Sequence, residues 1–245
     1  MFPLRDNIPT EHFPVVTVLL IVANVFIYFF LQDGFLGLPN GGAGGDWPVG
    51  QYAAIPCEFT GEGPCQTAAG GPPTLVTAFT SMFMHGSLLH LGGNMLFLWI
   101  FGNNVEDSMG PVKFLLFYLL GGVAADVAHI VMDLDSNIAT LGASGAVSAV
   151  LGGYLLLFPR ARVVTFVFII FFFTILELPA ILFLGIWILQ QGLFAYFDLL
   201  QPSGEGGGVA YFAHIGGFVF GLAAIRLFAS EKRRKRQLER AGMRR

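Results

Sequence analysis

Two side chains of this sequence have the types and settings that nucleophilic chemistry requires. Ser144 lies in the run Gly-Ala-Ser-Gly, at the start of an apolar segment, and His214 lies in the run Ala-His-Ile-Gly-Gly, at the start of the last apolar segment. A serine hydroxyl becomes a nucleophile when a neighbouring base takes its proton. Either residue alone is more often structural. Together they predict a nucleophile, Ser144, and its general base, His214.

Donors for a developing oxyanion are present near the same segments. His90 and Asn94 are four residues apart, so on a helix they share one face. The backbone N–H of Ser144 is expected at a helix start, where N–H groups point towards negative charge. We therefore predict an oxyanion site of His90, Asn94 and Ser144, with His85 in a supporting position. The sequence has no carboxylate beside His214, which favours a Ser–His dyad over a triad.

Glycines accompany both runs. Gly142 and Gly145 lie on either side of the serine and allow the backbone to approach a substrate closely. Gly217 and Gly221 follow the histidine with small-xxx-small spacing, which lets two membrane helices come close together. We predict that these glycines bring the serine and histidine within hydrogen-bond reach. The alternative is that they serve packing alone.

The polar residues of the apolar segments do not form a metal-binding pattern, and we predict no metal and no cofactor. His85 and His90 are about 140° apart around a helix, and no glutamate completes a metalloprotease pattern. Asp126 could also assist the site. We expect structural hydrogen bonds from four residues: Asp126, His129, Gln190 and Gln191.

The composition places these residues in a membrane protein. Of 245 residues only 12% are charged, and the mean hydropathy is +0.69; an ordinary soluble domain has about 25% charged residues. The apolar runs are long and repeated, which indicates several membrane spans. The first run lacks the cleavage site of a signal peptide, so we expect it to be retained. The predicted fold class is an all-α polytopic membrane protein.

The basic residues determine the expected orientation. All thirteen lie near Arg5, Lys113 and Arg160 or in the C-terminal region from Arg226, and none lies between residues 6 and 112. The positive-inside rule places these sites in the cytoplasm, with both termini there. Six spans satisfy this arrangement, and we predict a multi-pass protein of the cell membrane. The predicted spans are about residues 14–32, 87–105, 112–132, 144–158, 179–198 and 209–228.

Two regions outside the predicted spans are informative. The external loop of residues 33–73 contains Cys57 and Cys65. On an oxidising side these form a disulfide or remain two free thiols, and the sequence leaves both open. Residues 163–176 are rich in Phe, Val and Ile, and we expect them to lie against the cytoplasmic face or to dip into it.

The chain is expected to have three parts. Residues 1–13 form a short cytoplasmic N-terminus, and residues 14–229 form the membrane domain with its six spans. Residues 230–245 form a basic cytoplasmic tail, which can fix the topology or contact anionic lipid.

Taken together, the polar runs resemble the motifs of the rhomboid family of intramembrane serine proteases, over about residues 80–221. The run from His85 to Asn94 resembles the family's His-x4-His-x3-Asn pattern, whose second His and Asn help bind the oxyanion. The run around Ser144 resembles the Gly-x-Ser-Gly nucleophile motif. The run around His214 resembles the Ala-His-x2-Gly-x3-Gly motif that carries the base. One departure is Ser148, where the family often has an aromatic residue that packs on the base.

The resemblance implies a six-helix rhomboid-like bundle and cleavage of transmembrane segments of other proteins. It implies membrane proteins and the lipid bilayer as partners. We predict no nucleic-acid partner, and the sequence leaves the oligomeric state open. The fifth span and the loop at residues 201–208 are candidates for a gate and a lid. The alternatives are an inactive rhomboid-like protein that binds membrane proteins and, less favoured, a small transporter.

Overall fold

The computed structural model describes residues 1–32, 49–63, 65, 71–169, 172–200 and 209–243, and most of these are helical. A π-helical turn extends the first helix to Gln32, a 3-10 turn covers Ser81–Phe83, and a π-helical turn covers Leu98–Gly102. The helices in chain order are α1 (Val15–Phe26), α2 (Val49–Tyr52), α3 (Pro56–Thr60), α4 (Thr74–Thr80), α5 (Leu88–Phe97), α6 (Asn103–Met109), α7 (Pro111–Met132), α8 (Ser144–Leu157), α9 (Ala180–Leu199), α10 (Tyr211–Phe228) and α11 (Glu231–Arg240).

Four helices in the described part of the chain are long and apolar enough to cross a membrane: α1 with its π-helical turn, α7, α9 and α10. Their bounds lie within two residues of the predicted first, third, fifth and sixth spans. The predicted second span comprises α5, a π-helical turn and α6. The predicted fourth span is α8, whose 14 residues extend about 21 Å, less than a hydrocarbon core of about 30 Å. Six spans therefore remain a prediction, with four supported by length and composition.

Helix α8 lies inside the bundle and packs most extensively against α10, then against α7. Eleven of its fourteen residues are buried. Its sequence is apolar or small on every side, and a helix of that composition is stable only when neighbours surround it. The residue at its N-terminus, Ser144, is thereby placed at a fixed position inside the bundle.

A three-stranded antiparallel sheet shows that the all-α prediction is wrong for part of the chain. Its strands are β1 (Phe2–Asp6), β2 (Arg162–Ile169) and β3 (Phe172–Pro179), in that spatial order. Strands β2 and β3 form a hairpin, in which Arg162 pairs with Pro179. The physical reason is composition, because β-branched and aromatic residues pack well on a pleated surface. The segment expected to lie against the membrane is therefore a hairpin.

The hairpin is apolar and largely exposed in the isolated chain. Phe168 and Phe173 are 59% and 72% exposed. Arg162 and Glu177 form an exposed ion pair at its open end, with Nη1 and Oε2 3.4 Å apart. Glu177 therefore marks the base of the hairpin, and its apolar tip is consistent with the predicted contact with the membrane.

Both ends of the described chain meet at one end of the bundle, which we call the tail end. Strand β1 pairs with β2, and α11 packs on α6. The Glu11 carboxylate lies 3.2 Å from Nη2 of Arg236 and 3.4 Å from Nε of Arg240. The termini thus lie on the same side, as an even number of spans requires.

The opposite end carries the described part of the predicted external loop. Cys57 and Cys65 form a disulfide there, which resolves the alternative that the sequence left open. Ala54 and Thr140 exchange backbone hydrogen bonds of 3.0 and 2.8 Å. The loop is thereby attached to the segment that precedes α8. Residues 33–48, 64 and 66–70 of this loop lie outside the described residues.

Candidate active site

A cavity of about 580 Å³ opens at the N-terminal end of α8, away from the tail end. Its walls come from α5, α7, α8, α9, α10 and the segment before α8. This one cavity is lined by four residues for which we predicted a chemical role: His90, Asn94, Ser144 and His214. The helices therefore bring together side chains that are up to 124 residues apart in the sequence.

Ser144 is the first residue of α8, as predicted. The first N–H groups of a helix have no intrahelical acceptor, so they are available to a negatively charged ligand. Two residues earlier, Gly142 has φ +122°, and its N–H donates to the Ser81 carbonyl at 2.9 Å. A Cβ at Gly142 would lie 2.7 Å from the His90 ring. Glycine is thus required both by the backbone conformation and by the histidine beside it.

The predicted oxyanion donors lie on α5 and face this turn. Nδ2 of Asn94 donates to Nε2 of His85 at 3.0 Å, and the N–H of Ala143 approaches the same nitrogen at 3.5 Å. Because two N–H donors point at Nε2 of His85, this nitrogen is unprotonated. His85 therefore orients the Asn94 amide, whose second N–H remains for another acceptor. A supporting role for His85 in the site stays a prediction, which this contact favours.

His85 is itself fixed by the first span. Its backbone N–H donates to Oε1 of Gln32 at 3.0 Å, and its carbonyl accepts from Nε2 of the same residue. The rings of His85 and His90 meet edge to face, with centroids 5.1 Å apart. The backbone N–H of His90 is capped by Oγ of Ser87 at 3.1 Å. The first turn of α5 is thus ordered around the predicted donors.

Helices α8 and α10 approach each other through the predicted glycines. A Cβ at Gly217 would lie only 2.1 Å from the Gly145 carbonyl oxygen, and a Cβ at Gly221 only 2.0 Å from that of Ala149. Real side chains do not come this close to a backbone, so only glycine fits at both positions. Gly145 adjoins Ser144, and Gly217 lies less than one turn after His214. The close crossing therefore brings the predicted nucleophile and base to the same wall.

Ser144 and His214 share the cavity without a direct hydrogen bond between their side chains, as far as the described contacts extend. Such hydrogen bonds are often long in the free form of an enzyme and tighten when substrate binds. Ser148, one turn after Ser144, donates its hydroxyl to the Ser144 carbonyl at 2.6 Å. Its side chain is thus engaged away from the histidine, and a different group must orient that ring.

Two residues of α9 contact His214, and sequence reasoning missed this role for both. Oε1 of Gln191 lies 2.8 Å from Nδ1 of His214. The ring of Trp187 lies 6.0 Å from the imidazole, centroid to centroid, at an interplanar angle of 35°. The sequence predicted only a structural hydrogen bond for Gln191. The available signal was the spacing of a Trp and a Gln at i and i+4 in an apolar helix, which puts both on one face.

The other polar residues are arranged less closely around the reacting groups. Asp126 lines the cavity, with Ser81 within hydrogen-bond reach, and is 9% exposed. His129 is not among the described cavity-lining residues, and Gln190 is exposed on α9. The candidate lid at 201–208 lies outside the described residues. A role for Asp126 in the site stays a prediction.

The fold and the cavity together define a polytopic membrane protein with a polar site lined by serine and histidine inside its helix bundle. The chain belongs to the rhomboid family, because the family model described as Rhomboid domain matches residues 72–231, more than half of the chain. This match contains every cavity residue for which we predicted a chemical role. The predicted resemblance to this family is thereby confirmed.

Curated relatives are similar to this chain at modest identity. Rhomboid protein 1, mitochondrial, of Saccharomyces cerevisiae is 31% identical over 173 residues, which are 68% of this chain and 46% of that protein. RHOMBOID-like protein 12, mitochondrial, of Arabidopsis thaliana is 29% identical over 58% of this chain and 43% of its own length. The human Presenilin-associated rhomboid-like protein, mitochondrial, is 30% identical over 58% of this chain and 35% of its own length. The alignments thus span less than half of each relative.

The names of these relatives contradict the predicted location in the cell membrane with cytoplasmic termini. All three are named as mitochondrial proteins. The physical reason for the error is that basic residues indicate which ends of the spans share a side of a membrane. They do not indicate which membrane it is. Charge can predict that the two ends of the chain lie on one side of the bundle, and in the structure both lie at the tail end.

Proposed function

We propose that this protein is an intramembrane serine endopeptidase that hydrolyses peptide bonds in transmembrane segments of other membrane proteins. The observation that carries the proposal is the convergence of Ser144, His214, His90 and Asn94 on one cavity at the start of a buried helix. Membership of the rhomboid family supports it. The names of the relatives support a mitochondrial membrane as its location.

Ser144 is the proposed nucleophile. His214 takes the proton from its hydroxyl through Nε2, and Oγ attacks the carbonyl carbon of the scissile bond. The protonated ring then gives this proton to the leaving nitrogen, and the C–N bond breaks. Water then attacks the acyl carbon while Nε2 of His214 takes its proton, and the ring returns this proton to Oγ of Ser144 as the bond between Oγ and the acyl carbon breaks. The base thus acts twice, so both halves of the reaction require one ring orientation.

The oxyanion of each tetrahedral intermediate is the proposed ligand of the polar groups beside Gly142. The candidate donors are the backbone N–H of Ser144, the second N–H of Asn94 and the ring of His90. Donors that are already oriented stabilise developing charge without reorganising during the reaction. The contact between Asn94 and His85, at 3.0 Å, supplies this orientation for the amide.

The substrate must partly unfold to react. A helix hides its carbonyl groups in internal hydrogen bonds, so a bound segment has to unwind locally before a carbonyl can reach Ser144. Small or helix-breaking residues near the scissile bond lower this cost. Small-residue and helix-breaking sequences are therefore the proposed preference. Helix α9 is the proposed gate for the substrate, because it forms one wall of the cavity.

The decisive experiment compares the wild type with Ser144→Ala and His214→Ala, each purified in detergent with a model single-span substrate. We expect cleavage by the wild type and none above background by either variant. A fluorophosphonate probe is expected to label only proteins that contain both residues. Thermal denaturation of all three proteins controls for folding.

The same experiment separates the alternatives. Equal cleavage by the wild type and both variants would remove the proposed dyad. Stable binding of the substrate by all three without cleavage would support an inactive binding protein. Uptake of a solute into vesicles with neither binding nor cleavage would support a transporter.

A further inference from the structure

We infer that Gln191 is a positioning residue that fixes the tautomer and the orientation of His214, in the role that a carboxylate has in a catalytic triad. This inference rests on the proposed function and deepens it. It starts from one contact, the 2.8 Å separation of Oε1 of Gln191 and Nδ1 of His214.

The direction of this hydrogen bond is set by a second contact of the same amide. Nε2 of Gln191 approaches the carbonyl oxygen of Trp187 at 3.5 Å. A backbone carbonyl only accepts, so the NH₂ group of the amide must face it and the amide oxygen must face the histidine. An amide oxygen also only accepts. Nδ1 of His214 therefore carries the proton and donates a hydrogen bond to Oε1 of Gln191.

The tautomer that follows is the one that a general base needs. With its proton on Nδ1, a neutral imidazole has its lone pair on Nε2. Nε2 is then the ring atom that can accept the hydroxyl proton of Ser144. The reversed amide would put the proton on Nε2 and leave the ring unable to take another there. Two hydrogen bonds thus define which nitrogen reacts. They connect the Trp187 carbonyl to the Gln191 amide and the amide to the imidazole.

The residues around the His214 ring indicate that α9 orients it. Ser148 directs its hydroxyl to the backbone carbonyl of Ser144 at 2.6 Å. The indole of Trp187 lies beside the imidazole, with centroids 6.0 Å apart. Gln191 is only 7% exposed, so water competes little for its amide oxygen. One face of α9 thus supplies both the ring contact and the hydrogen bond.

The chain provides a matched control for testing the role of Gln191. Gln190 precedes it on α9 and is exposed. Gln191→Leu removes the acceptor with little change in volume, and Gln190→Leu makes the same chemical change on the outer face. We expect Gln191→Leu to lower kcat by about a hundredfold, at the lower end of the range of general-base contributions. We expect little change in KM, and both parameters unchanged in Gln190→Leu.

A substitution that keeps the acceptor gives a second readout. Gln191→Glu retains an oxygen at the same position and adds a negative charge, which favours the protonated imidazole. We expect it to retain much of the wild-type kcat at high pH and to move the acidic limb of the pH–rate profile to higher pH. The discriminating result is the retained kcat, because a residue that serves packing alone would lose no more activity as Gln191→Leu than as Gln191→Glu.

The tautomer can be measured directly, without activity. Nitrogen-15 NMR of protein labelled at its five histidines, with His214→Gln to assign the signal, distinguishes protonation at Nδ1 from protonation at Nε2. We expect the Nδ1-protonated form in the wild type and in Gln190→Leu, and a mixture in Gln191→Leu. If Gln191→Leu does not fold, the wild-type spectrum and Gln191→Glu still decide the question.

The failures of the two proposals are distinguishable. The inference is wrong if the wild type carries the proton of His214 on Nε2, or if Gln191→Leu cleaves as fast as Gln190→Leu. Both results leave the Ser144 and His214 comparison intact. If no variant and no wild type cleaves substrate, the proposed function is wrong, and the NMR measurement alone tests the contact.

Discussion

The tail end and the cavity end of the bundle use buried polar groups in opposite ways. At the tail end, the Glu106 carboxylate accepts three hydrogen bonds from α1: N–H of Val16 at 3.0 Å, N–H of Thr17 at 2.8 Å and Oγ of Thr17 at 2.8 Å. At the cavity end, Ser144 and His214 line an open cavity.

The hydrogen bonds at the tail end hold separate segments of the fold together, whereas those at the cavity end orient groups that line the cavity. Glu106 supplies the cap that α1 lacks, since its N-cap residue is Pro14, which makes no side-chain cap. Asp107 accepts from the N–H of Glu11 at 2.7 Å and lies 2.8 Å from Nδ1 of His12. At the cavity end the hydrogen bonds to Asn94 and His214 orient a single side chain each. The contacts at the tail end join segments, and the contacts at the cavity end leave a donor or an acceptor free for the function proposed above.

The largest expected effect is at the cavity end, with Asn94→Ala. Removal of one oriented oxyanion donor lowers kcat by about 10²- to 10³-fold. The free energy of unfolding of this variant should differ little from that of the wild type, because the Asn94 amide makes one described hydrogen bond, to His85. Steady-state cleavage and chemical denaturation in detergent measure the two quantities. A loss of stability with normal kcat in the folded fraction would reverse the assignment of this end.

The second effect is expected at the tail end, with Glu106→Ala. The change leaves three buried donors of α1 without a partner, at a cost of about 3 kcal/mol in the free energy of unfolding. The folded fraction should keep its kcat. Glu239→Ala, at an exposed position of α11, is the control and should be neutral. Equal denaturation midpoints for the two variants would refute the role of Glu106 as the cap of α1.

The third effect concerns the helix crossing that connects the two ends. In Gly217→Ala the added methyl carbon would lie only 2.1 Å from the carbonyl oxygen of Gly145. Helices α8 and α10 must therefore move apart. A displacement near 1 Å in a site costs about 10²-fold in rate. Gly192→Ala is the control, since a Cβ there meets nothing within 4 Å. Normal cleavage by Gly217→Ala would show that close approach of these helices is dispensable.

The smallest effect is a pH dependence at the tail end. Asp6 accepts from Tyr154 and Asn104 at 2.5 and 2.7 Å, and burial raises its pKa from 3.8 to about 6. The folded protein therefore binds a proton more tightly than the unfolded chain between these values, and stability falls as the pH rises from about 4 to about 6. Asp6→Asn should abolish this fall. Denaturation midpoints at pH 4 and pH 7 test it, and an unchanged pH dependence would exclude Asp6 as the cause.

The sequence predicted the long helices well because their apolar runs are bounded by Gly, Pro and charged residues. The start of α8 at Ser144 and the start of α9 after Pro179 are both where these signals place them. The hairpin of β2 and β3 was missed, since a continuous apolar run has no periodicity that separates a strand from a buried helix. Its Val, Phe and Ile content was the available signal for strands.

The site was predictable where its residues lie in short motifs and was not where they depend on helix packing. Ser144, His90, Asn94 and His214 line one cavity, as their motifs imply. The role of Gln191 depends on the rotation of α9 against α10, which no local pattern specifies. Intramembrane Gln is costly, so its presence signalled a partner without identifying it.

The shortness of α8 has a consequence for what can be cut. Its 14 residues begin at Ser144 and extend about 21 Å from the tail end, some 9 Å less than the hydrocarbon thickness. If the tail end of α8 lies at one surface of the membrane, the proposed nucleophile Ser144 lies below the other surface by a distance that the length of the helix determines. A peptide bond becomes a target by its position along the membrane normal as well as by its sequence, so moving a scissile site by one helical turn should remove it from reach.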